Sequence, residues 1–129
     1  MRDDTGYALR LWDPTTGTLI RALVPNTVGL GSLHFSPDGL MLAGLGSDKT
    51  VHLWDAATGT LLCSLPGQAF VVGFSPDGKR LLSGSNDNAL QLWDTITGQP
   101  LKALPADYGR GVYHVAFSPD GQFLASWGR

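Results

Sequence analysis

Any chemistry in this 129-residue sequence would have to come from three histidines, one cysteine, eleven aspartates and the serines scattered among them. A metal site needs three or four ligands that converge. His34, His52 and His114 stand far apart, in no ligand-spacing motif, and read as structural or surface residues. Asp38, Asp77 and Asp120 recur at equivalent places and could suggest calcium, but each lacks the alternating Asp-X-Asp oxygens of a calcium loop and reads as a turn former. Ser36, Ser75 and Ser118 sit in turn-forming strings and Ser83 and Ser126 in apolar stretches, none in a Gly-X-Ser-X-Gly nucleophile elbow. No pair of aspartates has a spacing that would define a glycosidase pair. Gly29-Leu30-Gly31 and Gly44-Leu45-Gly46 lack the Gly-Lys-Ser/Thr that follows in a phosphate loop. The sequence therefore predicts no catalytic residues, no metal and no cofactor.

The elements that carry these residues follow from composition. All eleven acidic residues are Asp, and with 17 Gly, 8 Pro and no Glu the chain is rich in turn formers and poor in helix formers. Short strands joined by tight turns are expected, as in a sandwich, barrel or propeller. Hydrophobic residues make up 43% and charged residues 16%, enough for a core and too little charge for disorder. The net charge of −2 gives no attraction to nucleic acid or to an anionic membrane, so neither is expected as a partner. No apolar run approaches the roughly 18 residues of a membrane span. Met1-Arg2-Asp3-Asp4 lacks the apolar stretch of a signal peptide, and the lone Cys63 cannot form an intrachain disulfide. A soluble, cytoplasmic protein is expected.

Internal repetition sharpens this. Phe-Ser-Pro-Asp-Gly occurs at 35–39, 74–78 and 117–121, with its phenylalanines 39 and 43 residues apart. Leu-Trp-Asp interleaves at 11–13, 53–55 and 92–94, and a Thr-Gly pair follows each at a fixed distance. Each repeat reads as four strands. Strand a precedes the Pro-Asp-Gly turn, as in Val71–Phe74 and Tyr113–Phe117. Strand b follows it (Leu40–Gly46, Arg80–Ser85, Gln122–Gly128). Strand c alternates up to the Trp-Asp pair, with Val51/Leu53 and Leu90/Leu92 directed at a neighbouring sheet. Strand d lies beyond the Thr-Gly turn (Thr18–Leu23, Thr60–Leu65, Pro100–Leu104).

With these motifs in place, the sequence resembles the WD-repeat (WD40) β-propeller family over essentially its whole length. The resemblance implies an all-β fold of four-stranded antiparallel blades around a channel, with the a strands innermost and the d strands at the rim. It also implies structural roles for the motif residues Trp12, Asp13, Trp54, Asp55, Trp93 and Asp94, the tryptophans packing against an adjacent blade. One departure is plain: the Gly-His pair that many such repeats carry between strands d and a is missing. Ser83 and Ser126 keep the strand b hydroxyl of the usual polar network, Gly44 does not, and Asp48 and Asp87 keep the turn aspartate. More of the stability should then rest on apolar packing between sheets.

The strand order is c-d, a-b-c-d, a-b-c-d, a-b, three blades' worth of strands in a single unit spanning 1–129, with one blade split between 1–24 and 112–129. Residues Leu9, Leu11, Trp12, Leu124 and Trp127 would form the seam of that blade. Closure could come from head-to-tail self-association, two copies giving six blades or three giving nine, or from further blades of a longer propeller. The expected function is a non-catalytic scaffold for protein–protein interaction. The alternatives are a recruitment segment of a larger multidomain protein, enzymatic or not, and a self-assembling propeller without a ligand. In the family, partners engage the face of d–a linkers and b–c turns, which here carries Asn26, Ser47, Gln68, Phe70, Asn86, Tyr108, Arg110 and Tyr113. The linker around Tyr108 and Arg110 is the longest and richest in the residue types that anchor interfaces.

Overall fold

The computed structural model describes residues 9–23, 30–66, 69–85, 89–105 and 111–129. Among these residues every regular element is a strand: β1 (Leu9–Trp12), β2 (Leu19–Leu23), β3 (Leu30–Phe35), β4 (Met41–Gly46), β5 (Val51–Asp55), β6 (Leu61–Leu65), β7 (Ala69–Phe74), β8 (Arg80–Ser85), β9 (Ala89–Asp94), β10 (Pro100–Pro105), β11 (Val112–Phe117) and β12 (Leu124–Gly128). They form antiparallel sheets in chain order: β1-β2, then β3-β4-β5-β6, then β7-β8-β9-β10, then β11-β12. The expected series c-d, a-b-c-d, a-b-c-d, a-b is what is found. The a strands converge, β7 lying against β3 and β4 and β11 against β7 and β8.

Turn chemistry explains the hairpins. In the first a–b turn, Ser36 Oγ donates to Asp38 Oδ1 at 2.6 Å, the Leu40 amide donates to the same carboxylate at 3.0 Å, and the Met41 amide donates to Ser36 Oγ at 3.0 Å. Gly39 supplies the positive φ of 75° that closes the turn. The same three bonds recur around Ser75/Asp77 and Ser118/Asp120. The serine, whose sequence role was simply that of a turn residue, thus holds both the aspartate and the start of strand b. The Ser hydroxyl bond, and next the backbone amide, hold the carboxyls of Asp38, Asp77 and Asp120 below the usual range. In the c–d turns the Asp of each Trp-Asp pair does comparable work. Asp55 Oδ1 accepts from the Ala57 and Thr58 amides at 2.9 and 3.0 Å, and Asp13 and Asp94 repeat the pattern.

Each c–d hairpin also shifts register beside its tryptophan, between Leu11/Trp12, between Leu53/Trp54 and between Pro100/Lys102. The unpaired residues Ile20, Leu62 and Leu101 are exposed aliphatics on the outer strand. Such bulges strengthen the local twist of a rim strand.

Three apolar layers join the four sheets. Leu9 and Leu23 meet Leu42 and Trp54 between the first and second sheets. Val51, Leu53 and Leu65 meet Ala69, Val72, Leu81 and Trp93 between the second and third. Leu82, Leu90 and Leu92 meet Val112 between the third and fourth, where the Arg80 guanidinium also lies 5.9 Å from the Phe117 ring centre. The expected inward faces Val51/Leu53 and Leu90/Leu92 are buried toward the following sheet, while Trp54 and Trp93 face the preceding one. Both faces of strand c are therefore covered.

Two expectations follow. A Cβ at Gly84 would stand 2.9 Å from Val112 Cγ1 and 3.0 Å from Val71 Cγ2, whereas at Gly73 the nearest atom is 3.7 Å away. Gly84→Ala should cost about 1–3 kcal/mol in a urea titration through overpacking, and Gly73→Ala should cost almost nothing. Equal effects would exclude tight packing at Gly84. Because the Asp77 carboxyl is held below its ordinary 3.8, its ionised form adds stability that is fully present above that value and is lost as pH falls through the lowered folded value. The deficit of Asp77→Asn relative to the parent should accordingly shrink below pH 3.8, and a deficit that stays constant from pH 6 downward would contradict the charged turn.

Candidate interaction surfaces

The three motif tryptophans have different surroundings. Trp54 is 1% exposed, packed on Leu42 of its own strand b and on Leu9 and Leu23 of the preceding sheet. Its ring runs so close to Gly44 that a Cβ there would meet Cζ3 at 2.8 Å. Trp93 is 8% exposed and its Nε1 donates to Ser83 Oγ at 3.0 Å. The strand b position that lacks its hydroxyl in one repeat is thus filled by the indole itself, and the one that keeps it makes the hydrogen bond. Trp12 is 54% exposed. Among the described residues its sheet has two strands, with no strand b beside Trp12 and no further sheet over its outer face.

Beside Trp12 runs a groove of about 290 Å³, walled by Leu9, Leu11 and Trp12 on one side and by Leu33, Phe35 and Leu42 on the other. Phe35 is exposed there, while its repeat counterpart Phe74 packs onto the layer containing Ala43, Leu45 and Leu53. The groove occupies the place that a strand b fills in the complete repeats. At the other end of the series, Leu124 and Trp127 of β12 are exposed, Trp127 at 61%, with its ring 5.9 Å from that of Tyr113 and 5.8 Å from that of His114. The seam residues named from sequence therefore split into two groups: Leu9 is buried and Leu11 half-buried against the second sheet, while Trp12, Leu124 and Trp127 face outward.

Of the residues expected on the linker face, Ser47 is exposed in the β4–β5 turn and Tyr113 is half-buried at the start of β11. Asn26, Gln68, Asn86, Tyr108 and Arg110 lie outside the described residues, as does the side chain of Phe70.

The histidines divide as well. His34 and His114 are exposed on a strands. His52 is buried, with Nδ1 2.8 Å from Ser64 Oγ and its ring 5.9 Å from that of Trp54. Its Nε2 has no hydrogen-bond partner, the nearest carboxylate oxygen being Asp48 Oδ1 at 3.9 Å. Cys63 is half-buried on the outer strand β6, and burial pushes its thiol up from the ordinary value. Among the described residues no three His, Cys, Asp or Glu side chains are placed to share a metal ion, and no helix is long and apolar enough to cross a membrane.

Comparison with known proteins matches the same periodicity. The chain is 40% identical over 48 residues to nuclear distribution protein PAC1 of Arthroderma otae, covering 37% of this chain and 10% of that protein. It is 53% identical over 38 residues to protein Mut11 of Chlamydomonas reinhardtii, covering 30% and 10%. It is 42% identical over 48 residues to WD repeat and SOCS box-containing protein 1 of Homo sapiens, covering 36% and 11%. The match thus spans about a tenth of the length of each relative. The family described as WD domain, G-beta repeat matches residues 17–55, 59–94 and 98–127, and with the Trp-Asp strand ends and four-stranded sheets now described, the chain belongs to the WD40 repeat family.

Proposed function

We propose that the chain is a non-catalytic scaffold for protein–protein interaction in the cytoplasm, and that it works as part of a closed ring of blades. The observation that carries the proposal is the apolar groove beside Trp12 at the position where complete repeats hold a strand b. A ring is needed because isolated sheets of this kind leave large apolar faces in water. Closed, it holds linkers on a rigid frame, so that binding a partner costs little ordering.

The open half-blades match each other by repeat position. In the complete sheets Leu42 pairs with Trp54 and Leu81 with Trp93. The same register would set Leu124 against Trp12, Ala125 against Leu11 and Ser126 against Arg10. Ser126 would then stand where Ser83 accepts the indole N–H of Trp93. Head-to-tail pairing of β11-β12 from one copy with β1-β2 of the next would complete the blade, giving six blades from two copies or nine from three. The small share of each relative that the chain spans favours a second source for the same strands, further blades of a longer protein in which these repeats recruit a partner or substrate.

Light scattering on the purified chain distinguishes the two. A discrete dimer or trimer is expected from self-closure, and Trp12→Ala should convert it to monomer. A parent that is monomeric, or an assembly whose mass Trp12→Ala leaves unchanged, would reject closure between copies. For the linker face, Tyr108→Ala with Arg110→Ala should weaken capture of a bound partner by about tenfold or more, as loss of aromatic and Arg anchors does. Undiminished capture would remove that linker from the site.

A further inference from the structure

On the end opposite the β4–β5 turn, the two complete sheets part to leave a cleft of about 520 Å³, within the roughly 300–1,000 Å³ usual for ligand sites. It opens between the turns that close the hairpins. The Asp38 turn, the Asp55 turn and Cys63 of β6 stand on one side, and the Asp77 turn with Lys79 and the segment Thr95–Thr97 on the other. Its surface is mainly aliphatic, because Leu40, Leu62 and Ile96 all present large exposed side chains to it. Leu62 is there because the bulge beside Trp54 turns it outward.

The rim decides what such a groove would accept. Three carboxylates, Asp38, Asp55 and Asp77, line it against one cation, Lys79, with Arg80 also acting on Asp77 from outside the lining. Each carboxylate is fixed through Oδ1 by its own turn, so its position is set before any ligand arrives. A negatively charged segment or an anionic surface would be repelled.

We propose that this cleft is a second binding site, for an extended peptide segment in which an arginine or lysine is followed two residues later by an aliphatic side chain. Residues i and i+2 of an extended chain point to the same side about 6.6 Å apart, which lets the cation meet the rim while the aliphatic group covers Leu40 and Ile96. The proposal rests on the scaffold reading but not on ring closure, since both walls belong to one copy.

Cys63 is the single cysteine of the chain and lines the cleft, so its alkylation by iodoacetamide reports occupancy directly. The probe is acetyl-Ala-Arg-Ala-Leu-Ala-amide, with the same peptide carrying Asp in place of Arg as the control. The Arg peptide should slow alkylation in a saturable way, and its apparent affinity should fall about tenfold between 50 and 500 mM salt as screening removes the rim attraction. Replacing Asp38 and Asp77 together by Asn keeps the Oδ1 acceptors of the turns, removes two charges and should weaken protection similarly. An alkylation rate unaffected by the Arg peptide at about 10 mM, where even millimolar affinity would saturate, overturns the site. Equal protection by the Asp peptide overturns the charge argument. The salt series uses the parent protein and stays decisive if the Asn variant fails to fold. An oligomer that forms without protection of Cys63 would reject the cleft and leave ring closure standing.

Discussion

Strand c of each complete sheet is buried on both faces, and that single constraint governs the rest. In β5 the side chains of Val51, His52, Leu53 and Trp54 are all buried, two toward the next sheet and the tryptophan toward the previous one. A strand buried on both sides cannot end the structure, because whichever sheet is outermost leaves one face in water. Radial stacking solves this only when the series closes on itself. The exposure of Trp12 and Trp127, one at each end of the series, is the same constraint seen where stacking stops.

The repeat architecture was largely legible in the residues, for a physical reason. Pro, Asp and Gly fix turn geometry locally, so Phe-Ser-Pro-Asp-Gly and Asp-X-X-Thr-Gly place hairpins without reference to anything distant. Strand bounds follow within about two residues. What depends on a neighbouring sheet was harder to read. The letters mark Gly44 against Ser83 as a departure, but not that the Trp54 ring fills the space over Gly44 while Trp93 donates to Ser83. The strand order c-d, a-b-c-d, a-b-c-d, a-b did mark Trp12 as a seam residue without a strand b of its own repeat beside it, and the structure leaves it exposed. The bulges that expose Ile20, Leu62 and Leu101 come from the twist of the c–d pairs and carry no signature residue. The inter-sheet cleft is assembled from turns nearly 60 residues apart, each of which has an ordinary structural role on its own.

The missing Gly-His pair has a visible consequence in the polar interior. One leg of the usual network survives, the indole of Trp93 on Ser83, and the histidine that is buried, His52, lies on strand c and bonds across to Ser64 of the rim strand. The polar groups therefore tie c to b and c to d, within a sheet. Ties between the two complete sheets come from apolar layers and from a backbone bond, the Ala69 amide donating to the Lys49 carbonyl at 3.0 Å. Packing between sheets then carries more of the cooperativity, which makes close contacts such as Val112 over Gly84 matter more than their size suggests.

The same division of labour explains how the two ends of the sheets can differ in what they bind. At the hairpin end, geometry demands Ser, Asp and Gly at fixed places, so every repeat brings carboxylates there, and Asp38, Asp55 and Asp77 line the cleft between the two complete sheets. The linker end carries no such demand, and its residues differ from one repeat to the next: Asn26, Gln68 and Tyr108 occupy comparable stretches. In a ring closed between copies, the cleft between the two complete sheets and the Tyr108 linker would each recur with every copy.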